Sequence, residues 1–205
     1  MPRGVAIPEP RQQLFAALER VIAGFATATA TGDSPARLTG RAVTREAGVA
    51  TGLLYTHFTD FDAFLTGYAV DRAFQLAGAV AGLPSRAGSG RVAGNLGDAL
   101  LATPLTTLAA FTRLTAFRPD LNPGVEAVLG TGGLQAVERT VADYLAAEQR
   151  LGRVPADAEP QALALVVVGV LHHVALTTAP DPAADTLIRS AMAALTAGFP
   201  AVAPS

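Results

Sequence analysis

The chain has 205 residues, half of them hydrophobic and 16% charged, with a formal net charge of −2. That balance excludes an extended disordered chain and a non-specific polyanion binder, and it leaves a globular protein able to bury a sizeable core. The absence of cysteine excludes disulfides, thiolate metal sites and thiol nucleophiles, while all 15 basic residues are arginine, a bias that fits genome composition as well as a site.

Only the proline-containing ends, 1–10 and 200–205, are expected to lack order. The N-terminal MPRGVAIPEPRQQ has no apolar core of a signal peptide, and with the lack of cysteine it predicts a cytoplasmic location.

Helical periodicity dominates and strand-like alternation is scarce, so the expected fold class is all-α. Leu14, Leu18, Val21, Ile22 and Phe25 recur at helix spacing and predict a first helix from about Gln12 to Thr29, ending before TGDSP at 31–35. A short second helix opens at Thr39, suited to the N-cap, and runs through Arg41, Val43 and Glu46 to Ala47, where Gly48 reverses the chain. Thr51 is placed to cap a third helix that continues through His57, so Gly48 to Ala50 separate two short helices. Asp60 is the expected N-cap of a fourth, with Phe61, Phe64, Leu65 and Tyr68 as its apolar stripe.

LPSRAGSGR at 83–91 then breaks the pattern. Further helices are expected near Val92 to Leu101, Leu105 to Phe117, Val125 to Leu129, Leu134 to Leu151, Pro160 to Thr177 and Ala183 to Phe199, with separators rich in glycine, proline or aspartate such as APDP at 179. The most membrane-like stretch, ALALVVVGVL from Ala162 to Leu171, has ten residues before His172 and His173, against about 20 for a spanning helix. A buried or interface helix is the expectation, with no membrane partner.

A helix, a tight glycine-containing turn and a second helix form the helix-turn-helix, whose second helix enters the major groove of DNA. At this spacing Val43, Ala47, Val49, Leu54 and Phe58 are expected to pack on the first helix, and Arg41, Thr51, Gly52, Tyr55, Thr56 and His57 to face outward. Over Leu38 to Leu65 the sequence LTGRAVTREAGVATGLLYTHFTDFDAFL resembles the signature of TetR-family transcriptional regulators. The matching landmarks are the threonine opening helix two, Ala47-Gly48-Val49 at the turn, Leu54-Tyr55 in the recognition helix, and His57-Phe58 before the fourth helix. Two positions depart from the family pattern: Ala50 stands where a small polar residue is usual, and Phe61 where a lysine commonly reaches a phosphate.

The resemblance implies a helix-turn-helix domain over 1–61 and an effector-binding and dimerisation domain over 62–205. It further implies double-stranded operator DNA as partner, contacted through Thr39, Arg41, Thr51, Gly52, Leu53, Tyr55, Thr56 and His57. The chemistry of these residues agrees: the Thr39 and Tyr55 hydroxyls suit phosphate oxygens, and the Arg41 guanidinium suits guanine O6 and N7. Leu53 either touches a thymine methyl or packs against helix one. Through Asp60 six arginines face five acids, so such binding has to be site-specific and dimeric.

For the remainder the family implies a small-molecule effector, with an apolar bias toward a hydrophobic one, and Thr107, Phe111, Arg113, Leu114, Phe117, Tyr144 and His172 are the candidate contacts. The segments Pro160 to Thr177 and Ala183 to Phe199 are too apolar all round for a monomer's surface, so a homodimer through these two helices is expected. The resulting expectation is a repressor on a palindromic operator, released by its effector. A helical small-molecule binder without DNA binding and an all-α enzyme are the alternatives. No catalytic motif, cofactor or metal is expected: GxSxG and HExxH are absent, GTGG at 130 lacks a GK[ST] ending, and adjacent His172 and His173 point about 100° apart on a helix.

Overall fold

A computed structural model of the protein describes residues 9–31, 38–178 and 182–200. Most of the TGDSP turn and of the APDP separator, both chain ends and the side chain of Phe25 lie outside the described residues. Among those described there are ten α-helices and no strand: α1 (Pro10–Thr31), α2 (Gly40–Glu46), α3 (Thr51–His57), α4 (Phe61–Ala81), α5 (Val92–Leu100), α6 (Leu105–Phe117), α7 (Asn122–Leu129), α8 (Gly133–Arg150), α9 (Pro160–Thr177) and α10 (Pro182–Leu195). Short 3-10 turns occupy Pro84–Arg86 and Pro119–Leu121.

Two helix starts precede the expected ones by two residues or more because proline reads as a breaker in sequence yet fits a helix's first turn, where its missing N–H has no partner to lose. Pro10 opens α1, and Pro123 lies in the first turn of α7, which begins at Asn122 instead of Val125. At the other end α10 stops at Leu195, short of Phe199, and the Thr196 hydroxyl donates to the Met192 carbonyl at 3.0 Å.

The chain divides into two compact units, Met1–Ala69 and Val70–Ser205, where the sequence reading placed its boundary at 61/62. The first unit is built on aromatic packing. Leu14, Phe15 and Leu18 of α1, Val43 of α2, Leu54 of α3, and Phe64, Leu65 and Tyr68 of α4 have no solvent exposure. The Phe15 ring lies 5.7 Å from Phe64, 5.5 Å from Tyr68 and 6.0 Å from Phe58, and Phe58 meets Phe64 edge-on at 5.2 Å. Such pairs each add about 0.5–1.5 kcal/mol beyond the apolar area they bury. Gly67 makes room for this cluster: a Cβ there would sit 2.9 Å from the Phe58 ring.

In the second unit α9 buries the stripe Ala164, Val167, Val168, Leu171, Val174 and Ala175, packing against α6, α8 and α10. Although α9 is long and apolar enough to cross a membrane by length and composition, this stripe is satisfied by protein neighbours. Across from it, α10 packs on α5, where Arg189 Nη1 lies 2.6 Å from Asp98 Oδ1.

Candidate nucleic-acid interface

The Thr39 hydroxyl accepts a hydrogen bond from the Ala42 N–H at 3.2 Å, the expected N-cap of α2. Gly48, with φ +69°, turns the chain in the left-handed region that costs an L side chain about 1 kcal/mol or more. The Val49 N–H then returns to the Thr44 carbonyl at 2.9 Å, which closes the turn. Thr51 does not cap α3 as the sequence reading expected. Ala50 holds the cap position without a side-chain bond, Thr51 is already helical, and its hydroxyl lies 3.3 Å from that of buried Thr44.

Three bonds fix this motif on α1. Gln13 Nε2 donates to the Ala47 carbonyl at 3.0 Å, Arg20 Nε meets Glu46 Oε1 at 2.6 Å, and Arg20 Nη2 reaches the Glu46 carbonyl at 3.4 Å. Arg11 lies 5.3 Å from the Phe58 ring centre, a cation–π contact. Asp60 Oδ1 accepts from the Ala63 N–H at 2.7 Å and caps α4.

With the inner face buried through Val43, Ala47, Leu54 and Phe58, the outer face carries Thr39, Arg41, Thr51, Gly52, Tyr55, Thr56 and His57, all solvent-exposed, while Val49 and Leu53 are half-buried. Among the described residues the Arg41 side chain has no ion-pair or hydrogen-bond partner, and its backbone carbonyl accepts from the Thr44 hydroxyl at 3.3 Å. The Thr56 hydroxyl is turned back onto the Leu53 carbonyl at 2.6 Å, which uses its proton but leaves its lone pairs. Tyr55 is 51% exposed, and its hydroxyl would stand 3.2 Å from a Cβ on Gly40, so the glycine lets the phenol rest at the start of α2. Phe61 flanks the same point and stacks on Phe64 with ring centres 5.7 Å apart.

Sequence reasoning did not single out Arg45. It follows Arg41 by four positions on α2, is exposed, and has no ion-pair partner among the described residues. The i, i+4 spacing of two arginines on the helix entering the turn was the signal available.

The candidate effector contacts sit on several elements. Thr107, Phe111 and Leu114 are buried on α6, and the Phe111 ring packs where a Cβ on Gly133 would fall, at 2.8 Å. Arg113 Nη2 donates to the Leu176 carbonyl at 3.0 Å and so serves the C-terminal end of α9. His172 is half-buried, and Phe117 is 76% exposed at the end of α6.

Tyr144 has no solvent exposure, and its hydroxyl accepts from Asn95 Nδ2 at 3.0 Å. Burial, reinforced by the Glu148 carboxylate, pushes this phenol well above its ordinary pKa. None of these seven residues lines the 390 Å³ cleft at Arg91 and Arg153, nor the 10 Å³ void bounded by Leu76, Val80 and Leu171, which is no larger than a water site.

No protein-family model matches the sequence, and no curated protein matches it significantly. Solved structures do. A transcriptional regulator from Rhodococcus sp. Rha1 is 20% identical and superposes with a TM-score of 0.61, covering 96% of this chain and 100% of that one. The fatty acid degradation regulator of Bacillus halodurans is 14% identical, with a TM-score of 0.64 over 95% of this chain and 98% of its own. A Mesorhizobium loti protein described as a TetR-family transcriptional regulator is 15% identical, with a TM-score of 0.57 over 94% and 99% of the two chains. This chain has the fold of TetR-family transcriptional regulators.

Proposed function

We propose that the protein is a ligand-responsive, DNA-binding transcriptional regulator of the TetR family, a repressor that binds a palindromic operator as a homodimer and leaves it when a small hydrophobic effector binds. The observation that carries this reading is the outer face of α2 and α3. It offers two arginines, Arg41 and Arg45, without an ion-pair partner among the described residues, with Thr39, Thr51, Tyr55 and His57, on a motif anchored to α1 by buried aromatics. Arginine here reads a guanine edge, and the hydroxyls and Arg45 serve phosphates.

Dimerisation is supported by unsatisfied apolar surface. On α9, Ala162, Leu165, Val166 and Gly169 form one exposed stripe at helix spacing, and on α10 Leu187 and Ala194 flank the small polar Ser190 on another. Two copies related by a two-fold axis bury both stripes and set two recognition helices at a whole number of DNA turns, about 34 Å apart or a multiple.

Fluorescence anisotropy with promoter DNA from beside the gene tests the proposal. Sequence-specific binding that weakens with salt supports it. Binding to no native promoter fragment, or equal binding to random duplex, overturns it in favour of a helical binder without DNA activity.

A further inference from the structure

We infer that Gly40 is a positioning residue: by withholding a side chain at the start of α2, it holds the Tyr55 hydroxyl in place for a DNA phosphate. The inference rests on the regulator reading and deepens it.

Gly40 is the first helical residue of α2, directly after the Thr39 cap, and is buried. Glycine is a poor choice there on helix grounds, because it loses more backbone freedom on folding than alanine does. Nor does the backbone require it. Unlike Gly48, Gly40 lies outside the left-handed region, so an alanine can adopt its angles. What the position lacks is room. A Cβ there would stand 3.2 Å from Tyr55 Oη, 3.4 Å from Phe61 Cδ2 and 3.7 Å from Leu54 Cδ1. The first distance is closer than a comfortable van der Waals contact, and a larger side chain takes the space that the phenol fills.

The other two neighbours are fixed. Leu54 has no solvent exposure, and the Phe61 ring is stacked on fully buried Phe64, with centres 5.7 Å apart and planes at 24°. Tyr55 is the exposed member, at 51%, and among the described residues its hydroxyl has no hydrogen-bond partner. A half-exposed phenol samples several rotamers unless one side of it has a seat. Gly40 provides that seat, and the hydroxyl rests at the start of α2 with its proton unspent. A phosphate oxygen that accepts this proton meets a group already ordered, which removes part of the entropy cost of the contact. The saving matters in a chain whose first 60 residues hold one more arginine than acids, and where Phe61 brings no charge.

A double-mutant cycle on operator DNA tests the inference, with the full chain, fluorescence anisotropy as readout, and Gly40→Ala, Gly40→Val and Tyr55→Phe as variants. Gly40→Ala is expected to melt no lower than wild type, since alanine favours the helix, yet to bind operator about threefold more weakly. Gly40→Val should weaken binding about tenfold, because its branches take the place of the phenol. Its salt slope should match that of wild type, since no cationic contact is lost. In the Tyr55→Phe background there is no hydroxyl left to place, and Gly40→Val is expected to cost less than about threefold. A glycine that matters only for the shape of α2 gives the same loss in both backgrounds. Equal losses in the two backgrounds, a lower salt slope in Gly40→Val, or wild-type affinity in both Gly40 variants overturns the inference and leaves the regulator reading standing. A wild-type protein that binds no operator overturns both.

Discussion

At the scale of single residues, the proposed role of the outer helix-turn-helix face divides into contacts that would read sequence and contacts that would hold the DNA backbone. Arg41→Ala and Tyr55→Phe are each expected to weaken operator binding by about 1–3 kcal/mol in an anisotropy titration. Arg45→Ala should instead weaken operator and random duplex alike and reduce the salt slope by about one; a selective loss on operator would make Arg45 a base reader. Tyr144 offers a test that needs no DNA. Its phenol is raised by burial, so the folded state keeps the proton after the unfolded chain begins to lose it near pH 10. The stabilisation this represents is complete below about pH 10 and is lost as the pH rises further, by at most about 1.4 kcal/mol per unit. With no lysine or cysteine in the chain, tyrosines are the side chains that ionise in that window. Urea unfolding from pH 9 to 11 should therefore fall less steeply for Tyr144→Phe than for wild type; parallel curves would refute the assignment.

At the scale of elements, the orientation of α2 and α3 rests on a few terminal groups. Gly48→Val places a β-branched side chain at φ +69° and is expected to destabilise the first unit by about 1–3 kcal/mol, read by thermal unfolding. Asp60→Ala removes the N-cap of α4 at a cost of about 0.5–2 kcal/mol, and an unchanged melting temperature would show the cap to be idle. These caps and turns were legible in sequence because each is local: Thr39, Gly48 and Asp60 act on neighbours three or four residues away. Helix periodicity located all ten helices for the same reason, with the misses confined to ends such as Pro123, where one residue type signals both a turn and a helix start. Thr51 was misassigned by one position, since capping depends on where the helical dihedrals begin and not on which residue could cap. What stayed hidden is non-local. Buried Glu148 accepts from exposed Gly88 and pairs with buried Arg153, half-buried Asn95 donates to buried Tyr144, and no spacing rule links these residues across 65 positions of sequence. The Arg113 bond to the end of α9 is hidden likewise.

At the scale of the whole molecule, weak charge makes the assembly matter more than any one contact. The first 60 residues carry an excess of one arginine over acids, so a single recognition helix has little electrostatic hold on DNA. In the proposed dimer, joining two such footprints would make the second contact intramolecular and raise affinity by about 10²–10⁴ when the half-sites match the spacing. The stripes on α9 and α10 are where this coupling is most exposed to test. Leu165 is 60% exposed and Val166 48%, and neither belongs to the buried stripe that holds α9 in its own unit. Leu165→Glu should therefore leave folding intact while placing two like charges near the two-fold axis, since each substitution occurs twice in an isologous interface. Light scattering after size exclusion is expected to show a dimer for wild type and a monomer for the variant. The variant should lose about two orders of magnitude or more on a full palindrome yet keep the wild-type protomer's weak affinity for one half-site. A wild-type chain that runs as a monomer, or a monomeric variant that binds the palindrome as tightly as wild type, would separate DNA recognition from dimerisation and remove the reason for the exposed face.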